Sequence, residues 1–487
     1  MNHNVPKCMS TQHPDNVSSP FFTENSEIGG EDEIMEAYYA FSHLGCDEQM
    51  WDCEGKEIDN YVVKKLLTRY RHYFEQERLG KDIFLTLRVP NPTVERAEAK
   101  ILLETLESIP RSFDASELVF NDEISPIFEV IIPMTTSAKC VDRVYKYYRD
   151  FIVGKQNQSF QEGDITIADW IGKFKPDNIN VIPLVEDMKH MLDAHNILRR
   201  YLGDKNPSYH RIFFARSDPA MNYGLISAVL VNKVALQRIY NLSEKIGVDI
   251  YPIIGVGSAP FRGNLRPDTV ERVSNEYPSV HTFTVQSAFK YDNPPDQVTK
   301  GIKILKERRR SPPRKLDEEK ALKMLEKYID EYTKQIKLLA PFINKLAKYV
   351  PKRRKRKLHI GLFGYSRNMD EIQLPRAITF TAALYSIGIP PEILGLNALS
   401  DKDLDYIKDV YVGFEEDLKD SLQYFNPNQD YLPESLVQKI DDLSLDYEIN
   451  EQHNELTTYI SNSLKRVKNE DISEQILMAA NIRRFLG

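Results

Sequence analysis

Arg211-Ile212-Phe213-Phe214-Ala215-Arg216-Ser217-Asp218-Pro219-Ala220-Met221-Asn222-Tyr223-Gly224 is an apolar run that stops abruptly on an arginine, an aspartate and a turn. It reads as a buried strand that delivers charge at its C-terminal end. Upstream, Asn180-Val181-Ile182-Pro183-Leu184-Val185-Glu186-Asp187 ends in the same way on carboxylates. Short apolar or β-branched runs of this kind occur at 7–12, 46–52, 83–89, 127–134, 180–186, 211–216, 249–256 and 282–286. Amphipathic segments lie between them, at 31–44, 61–77, 94–108, 139–153 and 225–246. The alternation predicts β/α units around a parallel sheet, and eight such units predict an α/β fold of the (β/α)8 TIM-barrel type over residues 1–290. The first run, short and next to Pro6, also suits a loop.

Barrels of this type carry their chemistry on the loops after the strands. His13 follows the first run, Arg88 ends the third, Met134-Thr135-Thr136-Ser137 ends the fourth, and Glu186 and Asp218 end the fifth and sixth. After the seventh comes Gly257-Ser258-Ala259-Pro260-Phe261-Arg262-Gly263-Asn264-Leu265-Arg266, a basic loop able to offer backbone N–H groups and a guanidinium to an anion. Two acids on successive strand ends suit Mg²⁺, which takes one or two carboxylates plus substrate and water oxygens. Each acid alone equally suits a helix cap. Asp47, Glu48, Asp52 and Glu54, around the second run, read either as supporting rim carboxylates or as a solvated acidic loop.

From residue 291 to 487 the pattern changes to charged amphipathic helices, notably 315–350 and 472–484, which predicts a large helical C-terminal region. Two arginines nine residues apart, Arg367 in Gly364-Tyr365-Ser366-Arg367-Asn368 and Arg376 in Leu374-Pro375-Arg376-Ala377-Ile378, flank a glycine-bearing stretch. The basic runs 306–310 and 352–357 read as solvated faces or loops. With 64 basic and 72 acidic residues, a net charge of −8 and no recognised binding motif, nucleic acid is not an expected partner. The N-terminus lacks the apolar core of a secretory signal and no uninterrupted apolar span approaches 20 residues, so the expectation is a cytoplasmic protein with no membrane partner. Four cysteines, Cys8, Cys46, Cys53 and Cys140, fit neither a disulfide framework nor a structural zinc site and read as reduced thiols.

Several motifs in order resemble the short, archaeal-type phosphoenolpyruvate carboxylase family. They are 9–16 (Met-Ser-Thr-Gln-His-Pro-Asp-Asn), 45–48, 50–56 (Met-Trp-Asp-Cys-Glu-Gly-Lys), 84–92, Arg216-Ser217-Asp218-Pro219 with Asn222-Tyr223-Gly224, and 257–265. The resemblance spans essentially the whole chain. It implies carboxylation of phosphoenolpyruvate with bicarbonate to oxaloacetate and phosphate, a carbon–carbon lyase reaction that replenishes C4 acids, with Mg²⁺ or Mn²⁺ and a homotetramer. By local similarity to the larger carboxylases, His13, Arg262 and Arg367 take the catalytic roles and Glu186 and Asp218 the metal. Arg376 resembles a further active-site arginine, and Arg88 is a plausible substrate arginine. The larger enzymes place a lysine where this chain has Met221; Arg216, on the same loop, is the candidate substitute. Alternatives at this level are another phosphoenolpyruvate or pyruvate barrel, a lyase or a phosphotransferase, and a non-catalytic anion-binding protein.

Overall fold

The computed structural model describes residues 4–53, 59–96, 99–203, 205, 207–355, 367–369, 372–465 and 471–487. Its strands β1 (Cys8–Ser10), β2 (Glu48–Asp52), β3 (Phe84–Arg88), β4 (Glu129–Ile132), β5 (Asn180–Val185), β6 (Tyr209–Ala215), β7 (Asp249–Gly255) and β8 (Thr282–Val285) form a closed barrel in chain order. All eight expected runs contain a strand. The short first one closes the ring, with Met9 opposite both Glu48 of β2 and Thr284 of β8 in parallel register.

The two-residue period of a strand sorts the side chains between the inside of the barrel and the helical layer. Met9, Met50, Ile131, Ile182, Leu184, Phe213, Ala215 and Ile253 form one apolar cluster. Trp51, Leu87, Ile212 and Phe214 alternate with them and belong to the larger cluster shared with the helices. Stepping by two along β2 therefore runs Glu48, Met50, Asp52, and along β6 Arg211, Phe213, Ala215. The same step along β5 runs Ile182, Leu184 and on to Glu186.

The inward residues at the N-terminal ends form a buried ion network. Arg211 Nη1 donates to Glu48 Oε1 at 2.8 Å and Glu129 Oε2 at 2.7 Å, and Nη2 donates to Glu48 Oε2 at 2.7 Å. Burial holds the Glu48 carboxyl above its usual range although Arg211 opposes the rise. Removing Arg211 would strand two buried carboxylates, a loss of about 3–5 kcal/mol or more. Glu48 thus belongs to the closed end of the barrel. Asp47 is there too, accepting from the Lys7 and Cys8 amides at 3.0 and 2.8 Å. Of the described acids around the second run only Asp52 reaches the rim; Glu54 lies outside the described residues.

Helix boundaries depart from the apolar pattern at identifiable places. Segment 61–77 divides at Tyr70 into Val62–Arg69 and Arg71–Gln76. Segment 94–108 is instead Ala99–Phe120, which continues through the buried Pro110. The chain after Ala138–Lys146 widens into a π-helical turn, Tyr147–Val153. Beyond the barrel, helix Glu318–Leu346 packs on Leu225–Ile246, with Tyr332 Oη donating to Met221 O at 2.8 Å. Helix Ala377–Ser386 packs against Ser217–Tyr223 and Ser473–Arg483. Strands β9 (Arg367–Met369) and β10 (Ile372–Leu374) form an antiparallel hairpin ahead of it.

The basic runs are not simply solvated. Arg308 Nη1 donates to Pro278 O at 3.1 Å and Arg310 Nη1 to Ile250 O at 2.7 Å. Arg354 is buried between Glu33 and Glu36, with Nη1 donating to Glu33 at 2.8 Å and Nη2 to both Glu36 oxygens at 2.9 Å. The four cysteines are buried thiols, none of them in a disulfide. Among the described residues no single helix is long and apolar enough to cross a membrane.

Candidate active site

A cavity of about 590 Å³ opens beyond the C-terminal strand ends, lined there by His13, Arg88, Glu186, Asp218, Arg262 and Gln286. Its other wall comes from 347–354 and 376–379, including Arg353, Arg354 and Arg376. Barrel and helical region therefore share one site. Of the residues expected there, His13, Arg88, Glu186, Asp218, Arg216, Arg262 and Arg376 all line it. Arg367 opens β9, but its side chain lies outside what the structure describes.

The strand ends aim these groups. His13 Nδ1 is 2.9 Å from Thr11 Oγ1. Arg88 is held by Asp52 through two parallel bonds, Nε to Oδ1 at 3.0 Å and Nη2 to Oδ2 at 2.6 Å, a geometry that fixes the guanidinium plane. Gln12 ties these two strand ends together: its Oε1 accepts from Asp52 N at 2.9 Å, and its Nε2 donates to Glu36 at 3.3 Å.

Arg262 is gripped by four segments. Its Nε donates to Ser217 Oγ at 3.1 Å, Nη1 to Asp15 Oδ2 at 3.2 Å and Gly487 O at 2.7 Å, and Nη2 to Gln286 Oε1 at 2.6 Å. Burial pulls the Arg262 pKa below its ordinary value, while the charges of Asp15 and Asp218 oppose that fall. Asp15 is itself fully buried, and its carboxyl is pushed up by that burial. Asp15 and Ser217 stand in motifs quoted above, but nothing local marks them, Gln286 or Gly487 as partners of Arg262, because each is 24 to 247 residues away from it.

Arg216, the candidate substitute cation, lines the cavity: its Nη1 donates to Phe261 O at 3.2 Å, its Nε is buried without an acceptor among the described residues, and Tyr277 and Tyr411 are among the groups acting on its charge. Met221, at the lysine position of the larger enzymes, is wholly buried.

Glu186 follows β5 and Asp218 stands in the first turn after β6, a strand paired directly with β5 through Val185 and Phe214. Both acids offer hard oxygen donors to one cavity, which fits Mg²⁺ or Mn²⁺. Among the described residues no group of three or more His, Cys, Asp or Glu is placed to hold a metal, so substrate and water oxygens would complete the shell.

The C-terminal rim of a closed (β/α)8 barrel thus gathers two carboxylates, a histidine and several arginines, groups able to hold an oxyanion and a divalent cation. The family model described as phosphoenolpyruvate carboxylase matches residues 5–487, and the chain belongs to that family. A phosphoenolpyruvate carboxylase of Methanospirillum hungatei is 56% identical over 483 residues, spanning 99% of this chain and 100% of its own. That of Methanothermobacter thermautotrophicus is also 56% identical over 483 residues, with the same coverage. Among solved structures, a citrate lyase of Burkholderia xenovorans matches with a TM-score of 0.37 and 13% identity, over 78% of this chain and 90% of that one.

Proposed function

We propose that the chain joins phosphoenolpyruvate and bicarbonate to give oxaloacetate and inorganic phosphate, a carboxy-lyase acting through carboxyphosphate and the enolate of pyruvate. The observation that carries this is the convergence of His13, Glu186, Asp218, Arg88, Arg262 and Arg376 on one cavity. Bicarbonate attacks a phosphorus already surrounded by negative oxygens, so the protein must screen charge on both reactants. Arginines do so with planar forks matched to carboxylate and phosphate edges. Glu186 and Asp218 would hold Mg²⁺ or Mn²⁺, which would supply Lewis acidity toward the enolate oxygen. In the His13 tautomer whose Nδ1–H donates to Thr11 Oγ1, 2.9 Å away, Nε2 keeps its lone pair for the proton of carboxyphosphate, and its removal frees CO₂ beside the enolate. Arg262, Arg367 and Arg376 hold the anions and keep water from the enolate; Arg88, fixed by Asp52, orients substrate.

Residues 1–290 form the barrel unit and 291–487 the helical unit in this reading, which also takes the protein to act in the cytoplasm, as a homotetramer. The test is bicarbonate-dependent oxaloacetate formation coupled to malate dehydrogenase, with phosphate followed in parallel. Matched products support the reading. Phosphate without oxaloacetate, or neither product from folded, metal-replete protein, overturns it. His13→Asn should bind substrate but make no oxaloacetate, and oxaloacetate at the wild-type rate from that variant would remove His13 from the mechanism.

A further inference from the structure

Four of the described cations around the cavity already donate hydrogen bonds within the protein: Arg88 to Asp52, Arg216 to Phe261 O, Arg354 to Glu33 and Glu36, and Arg262. Arg262 has four of its five N–H groups engaged within the protein. Arg353 lines the cavity and is only 6% exposed; its Nε is buried without an acceptor among the described residues, as are those of Arg216, Arg354 and Arg376, but unlike the four cations above it donates no side-chain hydrogen bond to any described residue.

Its backbone is firmly placed. Ile28 N donates to Arg353 O at 3.0 Å and Lys355 N to Ile28 O at 2.8 Å, which pins the segment beside the helix start at Glu31. The carboxylate acting on its charge is Asp292, whose two oxygens are taken by the amides of Val17 and Ser18, both at 2.7 Å. A buried guanidinium held in a fixed place without its own acceptor is costly unless an anion arrives from outside. The fork geometry of arginine matches two oxygens of a phosphoryl group.

We propose that Arg353 is a substrate-binding residue that grips the phosphoryl group of phosphoenolpyruvate, and the inorganic phosphate that group becomes. Lys348 and Lys352, also on the cavity wall and exposed, add positive charge beside it. The assignment rests on the carboxylase reading for its substrate, but phosphate binding can be measured without turnover.

Inorganic phosphate and oxalate are titrated by calorimetry, with Mg²⁺ present, into the wild type, Arg353→Gln and Arg353→Lys. Both anions are also tested as inhibitors of oxaloacetate formation. Arg353→Gln should weaken phosphate about ten- to a hundredfold, the range for a lost hydrogen bond to a charged group, and raise KM for phosphoenolpyruvate by a similar factor. Oxalate, a dicarboxylate without a phosphoryl group, should bind as before. Arg353→Lys, which keeps the charge but not the fork, should fall between. Unchanged phosphate affinity, or an equal loss for phosphate and oxalate, overturns the assignment. Wild-type protein that binds phosphate but makes no oxaloacetate would overturn the carboxylase reading instead, leaving Arg353 to be judged by phosphate binding alone. Circular dichroism establishes folding; if Arg353→Gln does not fold, the lysine variant carries the same selective test.

Discussion

Replacing Glu392 with glutamine should flatten the pH dependence of stability between about pH 5 and 8 while sparing catalysis. Glu392 is fully buried in the short turn Pro391–Ile393. Its Oε1 accepts from Phe261 N and from Tyr385 Oη, both at 2.6 Å, which fixes the loop that carries Arg262. Oε2 is buried without a hydrogen-bond partner among the described residues. Burial lifts the carboxyl from 4.5 to about 7, against the Tyr385 and Phe261 donors, and the nearby Asp417 charge adds to the rise. The folded protein therefore holds the proton more tightly than the unfolded chain. The stability this contributes is whole below about pH 4.5 and declines as the pH rises, until it is gone above about 7. Each unit is worth about 1.36 kcal/mol, so the total is roughly 3 kcal/mol. Glutamine cannot ionise, and its carbonyl oxygen can still accept from Phe261 and Tyr385. Its amide N–H groups take the place of the unpartnered Oε2, which lowers stability by about 1–3 kcal/mol at every pH and leaves the slope unaffected. The assay is denaturant unfolding at pH 5 and pH 8. The difference between wild type and variant should change by roughly 3 kcal/mol, or about 3 °C in Tm for a chain of this length. Parallel curves for the two proteins would refute the reasoning.

Two further substitutions probe the grip on Arg262. Asp15→Asn leaves Arg262 with neutral acceptors and the more distant Asp218, so stability should fall by about 3 kcal/mol and kcat/KM at least about tenfold; unfolding and kinetics matching wild type would dismiss the ion pair. Gly487→Ala would place a Cβ 2.1 Å from Ile378 O and 2.6 Å from Ala382 N, forcing the residue away from Arg262. Its kcat/KM should fall about tenfold with little change in Tm, and steady-state kinetics within twofold of wild type would show that the Gly487 contact is dispensable.

Much of the barrel was legible because alternating strands and strand-end charges are local signals. β5 and β6 announce themselves by apolar runs that finish on Glu186 and on Arg216 and Asp218. Helix ends were less legible. Pro110 lacks the N–H that a helix interior needs, yet the helix passes through it to Phe120, with the proline buried. The run 352–357 looked solvated because charge density is a local count. The acids that bury Arg354 stand 321 and 318 residues earlier, on helix Glu31–Ser42. The same holds for the Arg262 clamp: Asp15, Ser217, Gln286 and Gly487 share no spacing or motif, and only the closed barrel and the docked C-terminal helices bring them together. Arg216 was legible as a rim cation because it follows β6, whereas its bond to Phe261 O, 45 residues on, was not.

The bond from Arg262 to Gly487, across 225 residues of chain, makes catalytic competence a gauge of how well two parts of the molecule remain docked. An opening in which Leu486 and Gly487 lift away while the strands keep their ladder would release Leu486 N from Asp15 O, a 2.7 Å contact, and loosen the arginine in the same event. Turnover would then vanish at a milder denaturant concentration than the barrel's own circular-dichroism signal. Residual activity in a damaged population would count the molecules still closed, where bulk spectroscopy counts those still folded.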